Sequence, residues 1–142
     1  MAFTGNWTCN TFKTGLMNGT FNFTSGTFYM ALYTNAASLD ATTTAYTATG
    51  EVVGSGYTAT GLALTIAQVP TTGNSGYTAY ISFNNAAWTG AILARGALIY
   101  LFNGTTNPSV CVLDFGADKT STNTFTVQFP AVTNTSAIIR IS

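Results

Sequence analysis

The sequence predicts an all-β protein, a single-domain antiparallel β-sandwich of jelly-roll-like form with one short helix near its N terminus. Three observations carry this. Short runs of Phe, Tyr, Val, Ile and Thr recur at roughly ten-residue spacing between Gly, Asn, Ser and Pro clusters, as the strands and turns of a sandwich do. Ala97 to Phe102 (ALIYLF) is an unbroken apolar run of strand length, suited to a strand covered on both faces. The chain has 142 residues, enough to bury a core without disulfide or metal, and shows neither an internal repeat nor a composition break.

Taken in order, residues 1–11 form an N-terminal arm bearing Phe3 and Trp7, two large aromatics that need burial in the core or against a neighbouring subunit. The sandwich domain spans 12–142. Residues 10–18 (NTFKTGLMN) permit two turns of helix: Asn10 suits an N-cap, Phe12 and Leu16 share a face, and Gly19 suits the C-terminal cap. Gly15 weakens that helix. Phe21 and Phe23 alternate with polar neighbours as in a strand, and Phe28 to Tyr33 (FYMALY) suits a central strand.

Residues 34–49, rich in Thr, Ala and Asn, read as an ordered surface loop with a turn of helix after Asn35, anchored by Leu39 and Tyr46. Residues 51–53 and 61–67 read as strands about a Gly-Ser-Gly-Tyr turn, and 70–76 (PTTGNSG) as another turn. On 77–83, Tyr77, Ala79, Ile81 and Phe83 line one face. Residues 84–90 read as a loop whose Trp88 plugs the edge of the core. Residues 91–94 lead into the Ala97–Phe102 strand, Asn103-Gly104 and Pro108 shape its turn, and Val110 to Phe115 returns. Thr124 to Phe129 alternates cleanly, 130–135 is loop, and Ala137 to Ile141 is the terminal strand.

Charge is scarce: 6% of residues, with a formal net charge of zero. An average soluble domain carries about 25%, and a freely diffusing protein uses charge to resist self-association. The composition therefore points to life in an ordered assembly. Lys13, Arg95, Lys119 and Arg140 are scattered, so no basic patch is offered to nucleic acid. No apolar stretch approaches the roughly 20 residues of a membrane span. No apolar leader follows Met1, which reads as synthesis and folding in a cytoplasm. Cys9 and Cys111 have no metal-type spacing and read as free thiols in such a compartment rather than as a disulfide.

Catalytic chemistry has little to draw on. The chain contains no histidine, the commonest general base and zinc ligand. Its acids are Asp40, Glu51, Asp114 and Asp118. A glycosidase needs two carboxyl groups across a sugar. Asp114 and Asp118 are the nearest pair, but they read as a strand end and a turn, and as a calcium site they are a weak signal. Asp114-Phe115-Gly116 matches a kinase tripeptide without the rest of that machinery. The residues therefore predict no enzyme, no catalytic group, no cofactor and no metal. Asp114, in phase with Val110 and Val112, is expected to point inward and to need Arg140 or Arg95 as an ion-pair partner.

The segments ALYTNAASLDATTTAY, ARGALIY and VLDFGADK, with the closing AIIRI, make the chain from Phe12 to Ile141 similar to a family of small tailed-bacteriophage virion structural proteins, most closely the capsid decoration (cement) proteins. The resemblance implies a non-enzymatic homotrimer on the capsid exterior, made in the host bacterial cytoplasm. Such a protein would clamp the junctions of the major capsid protein and stabilise the shell by mass action. Phe3, Trp7 and Trp88 are then candidate anchors at the assembly interface. Each also has an intramolecular reading, as a residue of the protein's own core. The alternative is a tail, fibre or adaptor module binding a host carbohydrate, with Tyr46, Tyr57 and Trp88 as candidate ligand contacts.

Overall fold

The computed structural model describes residues 3–73 and 76–142. Among these described residues ten strands and one helix follow one another: β1 (Trp7–Thr8), α1 (Asn10–Asn18), β2 (Phe28–Tyr33), β3 (Leu62–Ala63), β4 (Ile66–Thr72), β5 (Ala79–Phe83), β6 (Ala86–Thr89), β7 (Leu93–Leu101), β8 (Ser109–Thr120), β9 (Thr124–Val127) and β10 (Ile139–Ile141). Every pairing is antiparallel. A five-stranded sheet in the order β1-β8-β7-β2-β3 stands against a three-stranded sheet β10-β5-β4 and a two-stranded ribbon β6-β9. The fold is thus an all-β, sandwich-like single domain with one short helix. Among the described residues, no helix is long and apolar enough to cross a membrane.

The β7–β8 hairpin is the spine, and its unbroken apolar run has the reason anticipated above: both faces of the large sheet are covered. One face packs Phe28, Met30, Leu32, Ala97 and Ile99 against Ile81, Phe83, Trp88 and Phe125 of the smaller sheets. The other packs Ala31, Tyr33, Leu98, Tyr100 and Val112 under Phe3, Cys9, Ala37 and Leu39, supplied by the arm and the 34–61 loop. Two register breaks interrupt the hairpin, between Ala94 and Gly96 and between Ile99 and Tyr100. The first leaves three extra residues on β8 and the second one, and each odd offset flips the inward and outward alternation of β8 relative to β7.

Several expectations are corrected. The boundary between 11 and 12 falls inside α1, and residues 3–11 belong to the fold: Phe3 and Cys9 are buried, and Trp7 and Thr8 pair with Val112 and Cys111. Asn10 is the first helical residue, not the cap. Cys9 holds the cap position without a side-chain bond, while Gly19 ends the helix at φ 78°. Phe21 and Phe23 are buried in turns rather than on a strand. Aromatic packing fixes them, with Phe12 edge-on to Phe21 and Phe23 stacked on Phe28 at 4.4 Å. No turn of helix follows Asn35. Residues 51–53 contribute one isolated bridge, Tyr33 with Glu51.

The 61–67 segment breaks at 64–65 and feeds two different sheets, and β4 runs on through Pro70 to Thr72 where a turn was expected; residues 74 and 75 of that expected turn lie outside the described residues. Pro70 is tolerated there since β4 is an edge strand with two register shifts. Residues 86–89, expected as loop, form β6, which pairs with β9.

Candidate functional site

Glu51 is 7% exposed and forms no ion pair with any of the described residues. Its carboxylate instead accepts hydrogen bonds from the hydroxyls of Tyr46 (2.6 Å) and Tyr57 (2.7 Å) and from the amide of Thr60 (2.8 Å). Tyr57 Oη also accepts the amide of Leu32 on β2, and Tyr100 donates to the carbonyl of Thr60. Burial, followed by the neighbouring carboxylate, pushes the Tyr46 phenol up to about 12 and the phenols of Tyr33 and Tyr57 higher still. Burial raises Tyr100 as well. Every carboxylate bond in this network ties the 46–60 loop to itself, and the tyrosines then tie that loop to the sheet. It is a clasp, satisfied as a buried polar network must be.

Asp114 finds Arg95 and not Arg140. Arg95 Nε donates to Asp114 Oδ1 at 3.0 Å, and that oxygen also accepts the Gly116 amide at 2.8 Å. The guanidinium is the main cause holding the Asp114 carboxyl below its usual range. The register break at Val110 explains the geometry: Val110 packs with the first cluster, Val112 and Asp114 lie on the other face, and Arg140 on β10 is out of reach. Arg140 donates to the carbonyl of Thr135 instead. Asp40 is exposed, its carboxyl lowered by the hydroxyl and amide of Thr42. Asp118 lies exposed on the outer half of β8. Among the described residues no three His, Cys, Asp or Glu side chains converge.

The aromatic candidates separate. Phe3 is 2% exposed, packed under the arm against the Cα side of Gly96, and Trp88 is 5% exposed between Tyr57 and Phe125. Both rings are spent inside the chain and have no face for a partner. Trp7 is 40% exposed, held by a bond from its indole N–H to Thr4, and stays available. Tyr57 is buried with Trp88 and Tyr46 is tied to Glu51, so the three candidate carbohydrate contacts form no open aromatic platform. Cys9 and Cys111 are free and buried in different clusters, on opposite faces of the sheet. Burial pushes Cys111 up to about 12 and raises Cys9.

What the arrangement leaves outside is a seam along β10. A groove of about 720 Å³ runs between α1, β8 and β10, and a smaller one of about 250 Å³ continues past β1. Thr8, Cys111, Ile138 and Arg140 line both, which makes them one trough. Exposed apolar side chains stand along it: Trp7, Leu16, Met17 (83% exposed) and Ile141. Sequence reasoning singled out only Trp7 of this group. The available signal was adjacency, since on a nine-residue helix that buries Phe12, Leu16 and Met17 cannot both turn to the core.

No family model matches the chain, and neither does any curated protein or solved structure.

Proposed function

We propose that this chain is a non-enzymatic structural protein of a tailed-phage virion, a capsid decoration protein that binds the outside of the head as a trimer and stabilises the shell. The seam is the observation that carries the binding part of this reading. Trp7, Leu16, Met17 and Ile141 expose apolar surface around one edge of a chain that has almost no charge elsewhere to keep it apart from partners. The acids point the same way. Glu51 and Asp114 are engaged in holding the fold, which leaves Asp40 and Asp118 as separate surface groups. Location on a phage head rests on the family resemblance of residues 12–141.

The test is sedimentation of the purified protein with expanded heads that lack it. The wild-type chain co-sediments and raises the temperature at which the heads release DNA. Met17→Glu combined with Ile141→Glu places two charges on the seam, at exposed positions where folding tolerates them, and abolishes co-sedimentation. Binding undiminished by both charges would remove the seam from the interface.

A further inference from the structure

The seam has a second property besides apolarity: it lies between two unpaired strand edges. Among the described residues β10 pairs with β5 alone and β1 with β8 alone, and each is the outermost strand of its sheet. An exposed edge presents backbone N–H and C=O groups that a further strand can satisfy. Here both edges border one trough floored by Cys111 and Ile138.

Among the described residues, two cations without an acidic partner also meet at the trough. Lys13 and Arg140 line it with Ser142 beside them, neither cation is ion-paired, and no acidic side chain of the described residues lines it. Lys13 Nζ reaches only Asn10 Oδ1 at 3.3 Å, and Arg140 only the Thr135 carbonyl. Among the described residues the single ion pair is Arg95 with Asp114. Half of the chain's four Lys and Arg residues therefore stand at this trough with only neutral oxygens as partners.

We infer that the seam receives an extended segment of a different polypeptide, one that alternates apolar residues with carboxylates and adds as a strand beside β10. Apolar side chains of the added strand turn into the trough between α1 and β10, and the carboxylates between them point to its rim. The long, unpaired Lys13 and Arg140 side chains extend to them there in charge-assisted bonds. A second copy of this chain fits poorly. A second β10 brings a further Arg140 and no carboxylate in any register, and the two-fold register centred on Arg140 sets like charges directly opposite in the ladder. The inference rests on the reading of the seam as the binding face, and it holds whether or not the partner belongs to a phage head.

The experiment titrates the full-length protein with three blocked seven-residue peptides, followed by amide resonances. The first alternates valine with glutamate, the second valine with glutamine, and the third interrupts the glutamate peptide with a central proline. The glutamate peptide shifts the amides of 137–142 and of Thr8 and slows their exchange. The glutamine peptide binds about tenfold more weakly, the factor one charge-assisted contact carries, and the proline peptide loses the slowed exchange. Arg140→Gln, at an exposed position, reduces affinity for the glutamate peptide about tenfold and leaves that for the glutamine peptide unchanged. Equal binding of the first two peptides, shifts confined to other residues, or no shift at millimolar peptide would each overturn the inference. Since no heads are present, failure here with successful head binding removes the acidic strand alone. The reverse result removes the head and keeps the strand.

Discussion

Tyr46 and Tyr57 both aim their hydroxyls at Glu51, so deleting either leaves part of a buried carboxylate without a donor. An unmade bond to a buried charged group costs about 1–3 kcal/mol. Tyr57→Phe, which also orphans the Leu32 amide, is expected to lose that much in urea unfolding, and Glu51→Gln should lose less because an amide still accepts. The same clasp sets an alkaline limit. Burial raises the folded-state phenols of Tyr33, Tyr46, Tyr57 and Tyr100 above an ordinary value of about 10. Their stabilisation is whole below that value and is lost as the pH climbs beyond it, since the unfolded chain releases those protons first. Phenolate absorbance from these four should therefore rise together with the loss of β circular dichroism; absorbance that rises while the fold persists would place the hydroxyls in solvent. Asp114 acts at the other end. Arg95 lowers its carboxyl, so its contribution is present above about pH 4 and fades as the pH falls through the depressed value. Asp114→Ala should cost about 1–3 kcal/mol and Arg140→Ala less than about 0.5. The need for an Arg partner was legible in the sequence, but the choice between Arg95 and Arg140 was not. One extra residue at the β8 register break decides which face Asp114 occupies, and nothing in an alternating apolar pattern marks such a break.

At the scale of elements, α1 shows why a residue that argued against a helix belongs in one. A Cβ on Gly15 would come within 2.3 Å of the Phe21 ring, so the gap in the helix surface is where that ring packs. Gly to Ala in a helix normally stabilises by about 0.5–1 kcal/mol. Here overpacking against a core aromatic reverses the sign, and Gly15→Ala should lower stability by about 1–3 kcal/mol in thermal or urea unfolding. A gain would mean that Phe21 moves aside freely. Gly61 is tighter still: at φ 82°, its added Cβ would meet the Met30 carbonyl of β2, because the loop returns to the sheet alongside that strand, where Leu62 pairs with Met30. The central strands and the hairpin were legible because covering both faces of a sheet forces continuous apolar runs. The edges were not. Phe21 and Phe23 alternate like a strand yet sit in turns, held by rings rather than by a ladder. Trp88 lies on a four-residue strand too short, and too full of Ala and Thr, to stand out from a loop. The 61–67 run reads as one strand and serves two, since a chain crossing between sheets keeps its alternation while changing its partner.

For the whole molecule, scarcity of charge and coverage of both faces of the main sheet belong together. The 34–61 loop and the arm form a third layer over the five-stranded sheet, and they do so through tyrosines, threonines and backbone bonds such as Ser109 N–H to the Thr44 carbonyl. That layer turns the Thr- and Asn-rich stretch, which composition alone describes as surface, into structure. It also takes up Phe3, while Trp88 is buried on the sheet's other face among the smaller sheets, so two of the three candidate assembly aromatics are spent inside the chain. Of the exposed apolar side chains, Trp7, Leu16, Met17 and Ile141 gather along β10, and in the proposed function this seam binds a shell while the rest of the chain supports it. The most direct measurement is the copy number of the chain in purified particles, quantified by mass spectrometry against the major capsid protein. The account predicts copies in the hundreds per particle, lost in parallel with head stability when Met17 and Ile141 carry charges. A chain that is absent from purified particles, or present only in the handful to few dozen copies of a tail component, would contradict it.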